Sequence, residues 1–328
     1  MTERHAKSLP VNRAGSPDEP HSFSDDRLSI LLVNYNGKRY LRPCLDSIRR
    51  FSPPGTQVIL EDNASTDGSL DDIAQSYPWV KVIRSSSNLG FAGGNNLAAK
   101  AARSKFLLLL NIDTELLEPI VPVVDWLEEH HSCGALTVNM VDGGRTPRAC
   151  TGRFPNPLRL ALLRRMLVAP EHYCAAETYD VDWVQGSFLL IRAELWRSLD
   201  GLDDQYFMYA EDVDLCRRIW DAGFTCAYIR TTKYLHWGGF DPSRFPDQVR
   251  GLARYVAKHM RGIEGHLCRA ILLAGCVARV ALYKIRYGIW NRPNDRISAE
   301  GSWRAFRTLN DRAQSRNQSS GEYDSRPR

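Results

Sequence analysis

"LSILLVNYNGKRYLRPCLDSIRRF", residues 28–51, opens on an apolar run from Leu28 to Val33 broken only by Ser29, and the run ends on Asn34, Tyr35, Asn36 and Gly37. Leu41, Leu45 and Ile48 then recur at helical spacing. A strand apolar on both faces, a polar turn and an amphipathic helix together form the unit from which buried parallel sheets are built. The plan repeats downstream. "QVILEDNASTDGS" is a strand and polar loop, and "SLDDIAQSYP" a short helix stopped by Pro78. "WVKVIRSSSNLG" is a third strand and loop, and "FAGGNNLAAKAARS" a helix of small residues. "KFLLLLNID" is the most apolar strand of the set. Strands alternating with helices imply right-handed crossovers and an α/β fold, with a Rossmann-like, mostly parallel central sheet flanked by helices.

In such sheets ligands bind at the carboxyl ends of the strands. Every polar cluster in this half follows a strand: Asn34 to Gly37, Asp62 to Gly68, Asn88 to Gly90, and Asn111 to Asp113. One rim is therefore expected to gather them. Asp62 suits the N3–H of uracil or thymine, which an ionised carboxylate can accept; Asp67-Gly68 beside it also reads as an ordinary turn. Tyr35 and Asn36 are placed to line the same pocket. Asn111 and Asp113 point to one face of the strand end. Two oxygen donors so spaced can hold a hard cation together with substrate phosphates, although Asn and Asp also end strands for local reasons.

The second half is less regular. "ALTVNMVDGG" and "VDWVQGSFLLIRAELWRSLDG" read as strands, the latter running into a helix. Residues 145–180 read as a long loop with a short helix around 158–167. "TCAYIRTTKYLHWGGF" reads as a terminal strand ending in His236. Between them lies "YAEDVDLCRRIWDAGF", residues 209–224, with Glu211, Asp212 and Asp214 crowded together. Negative charge is favoured near a helix N-terminus, and Asp214 can pair with Arg217 or Arg218 at i+3 and i+4. Those effects do not explain why the acids follow a loop rich in aromatic residues, Tyr206, Phe207 and Tyr209. A carboxylate held in a cleft is what a general base requires.

Residues 241–328 carry 17 Lys/Arg against 8 Asp/Glu, while the rest of the chain carries 26 against 30. An acidic front and basic rear suggest that the rear meets an anionic surface. The eight cysteines include no C-x-x-C pair, which argues against a zinc ribbon and favours reduced thiols. Residues 1–26 lack the apolar segment of a signal peptide and read as a disordered leader.

"LLVNYNG", "EDNASTDGS", "NLGFAGGNN", "LLLLNID", "FMYAEDVDLCRRIWDAGF" and "HWGG" occur in the order and spacing of the bacterial glycosyltransferases of family 2. The chain resembles that family, and within it the rhamnosyltransferase-like branch that builds cell-surface polysaccharide, from about Leu28 to Phe240. The resemblance implies a GT-A fold and an inverting transfer from a nucleotide-diphospho-sugar, with rhamnose from dTDP-rhamnose the first choice and UDP- or GDP-sugars the alternatives. The acceptor would be a lipid-linked or growing polysaccharide. Asn34, Tyr35, Asn36, Asp62, Asn88 and Gly90 form the expected nucleotide pocket. Asn111-Ile112-Asp113 stands where the family has its D-x-D metal motif, with His236 completing a Mg2+ or Mn2+ site. Asp212 would be the base with Glu211 beside it, and Trp183, Gln185 and Gly186 would shape the sugar and acceptor pocket. Two departures stand out: Asn111 replaces the first acid of D-x-D, and Glu61 replaces a usually apolar residue.

These expectations divide the chain into the leader, a GT-A domain over 27–240, a basic helical region over 241–292 broken at Gly262 and Gly265, and a mostly disordered tail over 293–328. The stretch from 265 to 292 is interrupted by Arg269, Arg279, Lys284 and Arg286, so its longest uncharged segment, Ala270 to Ala278, is too short to span a bilayer. It reads equally as a helix packed on the core and as one lying among lipid headgroups, which places the protein in the cytoplasm with a peripheral contact at the inner face of the membrane. A nucleotidyltransferase would need a basic Gly-rich loop that "VNYNGKRY" does not supply. A non-catalytic nucleotide-sugar binding scaffold is the remaining alternative. Nothing in the sequence points to nucleic acid.

Overall fold

The computed structural model describes residues 27–161, 176–238 and 242–310. The expected leader and the last 18 residues lie outside the described residues.

Strands β1 (Leu28–Asn34), β2 (Gln57–Asp62), β3 (Val80–Arg84) and β4 (Phe106–Asn111) run parallel in the order β3-β2-β1-β4. They are joined by helices α1 (Lys38–Phe51), α2 (Ile73–Ser76) and α3 (Gly90–Ala99). β1 is covered on both faces, which is why its residues from Leu28 to Leu32 are all buried and its sequence does not alternate. α1 buries Leu41, Cys44, Leu45 and Ile48, one stripe at helical spacing. The register sets Asn34 beside Asp62 and Val33 beside Asn111. Asp62 and Asn111 therefore stand about two strand spacings, or about 10 Å, apart along one edge.

Beyond β4 the sheet becomes mixed. β5 (Thr114–Leu116) follows at once, then α4 (Val121–Glu129), β6 (Cys133–Val141), β7 (Thr151–Gly152) and α5 (Pro157–Ala161). β8 (Thr178–Val181), β9 (Trp183–Val184), β10 (Phe188–Arg192), α6 (Ala193–Ser198), α7 (Glu211–Asp221) and β11 (Thr225–His236) complete this half. The order continues β4-β10-β6-β11-β5, with β8 also on β11. β10 is antiparallel to both its neighbours, while β6 and β11 are parallel. Strand direction is set by the long connection around each strand, so the apolar run Phe188–Ile191 looks the same either way. β11 breaks register between Ile229 and Lys233. Such an irregularity bends a strand, letting its start pair with β8 and its end, through His236 opposite Thr114, with β5.

Three helices end the described residues: α8 (Phe245–His259), α9 (Gly262–Trp290) and α10 (Pro293–Asn310). They share a second core of Phe245, Val249, Val256, Cys268, Leu272, Cys276, Ala305 and Leu309, joined by Leu160 of α5. Three expectations are corrected here. The tail does not begin at 293, because α10 occupies half of it. Its buried stripe of Ser298, Ala299, Gly301, Ser302 and Ala305 is made of small residues that let helices approach closely, and such a stripe reads as polar. Gly265 does not break the helix, and the interruption falls at Met260-Arg261. Finally, α9 runs unbroken for 29 residues and is long and apolar enough, by length and composition, to cross a membrane. Two of its charges turn inward: Arg279 lies 4.0 Å over the Phe245 ring, and Arg269 donates to the Leu309 carbonyl at 2.6 Å.

Candidate active site

At the carboxyl ends of β1 and β2, side chains stitch the loops together. Asn34 and Asp62 are both buried. The Asn34 amide donates to Asp62 Oδ1 at 2.8 Å and lies 2.9 and 2.8 Å from the Ser65 and Ser69 hydroxyls. Asp62 Oδ2 accepts the Ser65 N–H at 3.2 Å. Asn36 is in the left-handed region, φ 53°, where its Oδ1 accepts the Thr66 N–H at 2.8 Å and its own N–H reaches Ser65 Oγ at 3.0 Å. Asn is one of the few residues that tolerate this conformation. Tyr35 stands out at 39% exposure. A third loop joins through Asn63, which donates to the Gly90 carbonyl and accepts the Leu89 N–H, while Asn88 accepts the Gly90 N–H. Thus Asn34, Tyr35, Asn36, Asp62, Asn88 and Gly90 all lie on three loops, the middle one bonded to each of the others.

Glu61 points away from Asp62 and is fully buried. Its Oε1 accepts the Ser85 hydroxyl at 2.6 Å, and its Oε2 has no hydrogen-bond partner among the described residues. Burial pushes its pKa up to about 7, against the Ser85 hydrogen bond and with a further push from Asp62.

At the other end of the edge, His236 Nε2 lies 3.3 Å from Asp113 Oδ1. β5 and the end of β11 bring them together, and the Trp237 N–H donates to the Asp113 carbonyl at 2.9 Å. Gly238 completes the corner: a Cβ there would stand 2.7 Å from Asp113 Oδ2 and 2.8 Å from His236 Nε2. The space beside the pair exists because the residue is glycine. Among the described residues no group of three or more His, Cys, Asp or Glu side chains could hold a metal ion. A carboxylate and an imidazole, with Asn111 on the same strand end, nevertheless fit a divalent cation that takes its other ligands from diphosphate and water.

Asp212 arrives from the far side. Its Oδ2 accepts the Gly186 N–H at 3.0 Å and its Oδ1 the Val213 N–H at 2.8 Å. Gly186 precedes Ser187, whose carbonyl accepts the Asn111 N–H at 3.1 Å. One short backbone segment therefore links Asp212 to the strand end that carries Asp113. Asp212 is half-buried, and burial raises its pKa against the opposing pull of the two N–H groups. Glu211 is buried, with Oε2 lacking a hydrogen-bond partner among the described residues. Burial and then the Asp212 charge push its pKa well above the carboxylate range. Of the two acids, Glu211 is the one pushed harder toward its neutral form.

Asp214 differs from both. It is fully buried and bound by Arg218 at 2.8 Å, Lys258 at 2.8 Å and His259 at 2.7 Å. Burial alone would raise its pKa, but His259, Lys258 and Arg218 hold it down to about 2. Of the two arginines the spacing offered, Arg218 takes Asp214 while Arg217 pairs with Asp221 at 3.0 Å. Sequence reasoning missed Lys258 and His259, more than forty positions away, and no local signal connects them. Gln185 is half-buried, and Gly186 is packed against Phe91. Trp183 is only 7% exposed, with its indole N–H on the Arg153 carbonyl at 3.1 Å. It thus sits behind the rim.

Residues 29–178 match the model of Glycosyl transferase family 2. Over 263 residues the chain is 28% identical to the N-acetylglucosaminyl-diphospho-decaprenol L-rhamnosyltransferase of Mycobacterium tuberculosis, covering 71% of this chain and 81% of that protein. It is 25% identical over 247 residues to rhamnosyltransferase WbbL of Escherichia coli K12, covering 70% of this chain and 92% of that protein. In fold it is similar to the mannosyltransferase PcManGT from Pyrobaculum calidifontis, solved with GDP-Man and Mn2+. That likeness has a TM-score of 0.54 at 17% identity, over 90% of this chain and 88% of the other.

Proposed function

We propose that this chain, whose residues 29–178 match the Glycosyl transferase family 2 model and whose fold is GT-A, transfers rhamnose from dTDP-rhamnose, with inversion, to a hydroxyl of a lipid-linked saccharide acceptor. The observation that carries this reading is the link from Asp212 through Gly186-Ser187 to Asn111, which brings a carboxylate of raised pKa to the edge shared by Asp62, Asp113 and His236.

The donor's thymine meets Asp62, with Tyr35 and Asn36 around it and Asn88 and Gly90 below. Asp113 and His236, beside Asn111, would hold Mg2+ or Mn2+, which when bound neutralises charge on the departing diphosphate. With Asn111 in place of an acid the site carries one less negative charge, so a bound cation would draw more of its ligands from the diphosphate. Asp212 takes the proton of the acceptor hydroxyl as that oxygen attacks the anomeric carbon, which passes through an oxocarbenium-like state. The Gly186 and Val213 N–H groups fix the carboxylate's direction. A raised pKa makes it a stronger base, and the push of Glu211 toward its neutral form lessens the charge beside it. Gln185 and Gly186 border the sugar, with Trp183 supporting them from behind. The relatives' names support both the sugar and the lipid-diphosphate acceptor.

A lipid-linked acceptor places the enzyme at a membrane surface, and α9 supplies the contact. Its outward side chains Ile263, Leu267, Val277, Leu282, Ile285 and Ile289 are 48% to 87% exposed, forming one apolar face along the helix. An exposed apolar face of this length calls for a partner, and Lys284 and Arg286 beside it favour anionic headgroups. The enzyme is accordingly expected at the inner face of the cell membrane.

The test is incubation with dTDP-rhamnose, UDP-GlcNAc or GDP-mannose, Mn2+ and N-acetylglucosaminyl-diphospho-decaprenol, followed by mass spectrometry of the lipid. Addition of a deoxyhexose is expected. Addition of a different sugar would replace the donor, and no transfer from any donor would favour a nucleotide-sugar binding scaffold.

A further inference from the structure

Tyr209 and Ala210, immediately before Glu211, have φ of 73° and 68°. Two successive non-glycine residues in the left-handed region persist only where their surroundings over-determine them. On one side the Phe91 N–H donates to the Phe207 carbonyl at 2.8 Å, tying the loop to α3. On the other side stands α8. A Cβ on Gly251 would lie 2.1 Å from the Tyr209 carbonyl oxygen and 3.2 Å from Ala210 Cβ, so the glycine lets the helix press directly on the turn. Lys258 Nζ lies 2.8 Å from Asp203, which precedes the loop, and 2.8 Å from Asp214, which follows it. Arg254 adds a contact to Asp203 at 3.2 Å and His259 one to Asp214 at 2.7 Å. One ammonium group thus binds both ends of the segment that delivers Asp212, and it comes from a helix outside residues 29–178, the part that matches the family model.

We propose that α8 is a positioning element for the transfer step: Gly251 and Lys258 hold the Tyr209-Ala210 turn in its left-handed form and so fix the aim of the Asp212 carboxylate. This rests on Asp212 being the base. If α8 only stabilised the fold, its variants would lose activity in proportion to the protein that unfolds. A positioning role instead lowers kcat while the donor pocket, held by β1, β2 and α3, keeps its affinity. Gly251→Ala is the sharper probe, because alanine is the better helix former and would stabilise α8 were the turn not in the way.

The experiment compares full-length wild type, Gly251→Ala, Lys258→Met, Lys258→Arg and Asp212→Asn. It measures kcat and KM for dTDP-rhamnose with N-acetylglucosaminyl-diphospho-decaprenol, dTDP affinity by calorimetry, and amide hydrogen exchange over residues 207–212. Gly251→Ala and Lys258→Met are expected to lower kcat at least tenfold with dTDP affinity within twofold of wild type and faster exchange in that segment. Lys258→Arg should recover most of the loss, since a guanidinium can bridge the same two carboxylates. Wild-type kcat in Gly251→Ala, a kcat loss matched by equal loss of dTDP binding, or unchanged exchange over 207–212 would each overturn the proposal. Full activity in Asp212→Asn would instead remove the base on which it stands, and that outcome is separate from the behaviour of the α8 variants.

Discussion

Asp62 and Asp212 are held in place by different means. Asp62 is set by strand register, opposite Asn34 in adjacent parallel strands, and its carboxylate is bonded to Asn34 and to Ser65, on two loops that each follow directly from a strand. Asp212 depends on contacts outside any shared strand register: Gly186 below, Phe207 against α3, and α8 behind. The first wall is built on adjacent strands of one sheet, whereas the second joins a loop, α3 and α8 and includes two residues in the left-handed region. Changes in remote helices should leave the Asp62 wall alone and disturb the Asp212 wall.

Asp212→Asn should produce the largest effect, a loss of about 100-fold to 10,000-fold in kcat with dTDP binding intact by calorimetry. Equal losses of binding and turnover would show that the two walls are not separable. Next comes Asp214→Ala, which takes the shared buried carboxylate away from Arg218, Lys258 and His259 behind the second wall. It should cost about 3–5 kcal/mol in urea unfolding. The wild-type contribution of Asp214 has a definite sign. Its pKa is depressed to about 2, so the stabilisation is present above the ordinary carboxylate range and lost as pH falls toward 2. The variant should lack that acid limb.

The first wall offers the opposite sign. Glu61 has its pKa raised to about 7, so the folded state binds its proton more tightly than the unfolded chain does. The stabilisation is complete below the ordinary Glu range and is lost as pH rises through about 7. Glu61→Gln should remove this fall, worth about 3 kcal/mol between pH 4 and 8, in unfolding curves taken across that range. The smallest effect on chemistry should come from a surface in neither wall. Ile285→Glu with Ile289→Glu should weaken flotation with anionic liposomes by about tenfold and leave turnover of a short-chain, soluble acceptor unchanged. Unaltered flotation would remove α9 as the membrane contact.

The same contrast explains what the sequence could tell. β1 through β4 are legible because burial on both faces leaves unbroken apolar runs, and the polar residues that end them mark the edge. His236 at the end of β11 was also readable, although its place beside Asp113 needed β5, a three-residue strand with no pattern of its own. The direction of β10, the small-residue stripe of α10 and the Lys258 and His259 contacts to Asp214 were not readable. Each depends on how distant segments pack, and no spacing along the chain encodes it. Glu61 was visible as an oddity, but its orphaned oxygen beside Ser85 and α3 emerges only from the fold.

The central claim is that nucleotide, cation and base share the crevice along this strand edge. Crystals grown with dTDP and Mn2+, examined by anomalous scattering at the manganese edge, test it most directly. The account predicts one manganese peak bound by Asp113 and His236, thymine against Asp62, and Asp212 facing the space beyond the terminal phosphate. A nucleotide bound elsewhere, or manganese bound away from that pair, would contradict it.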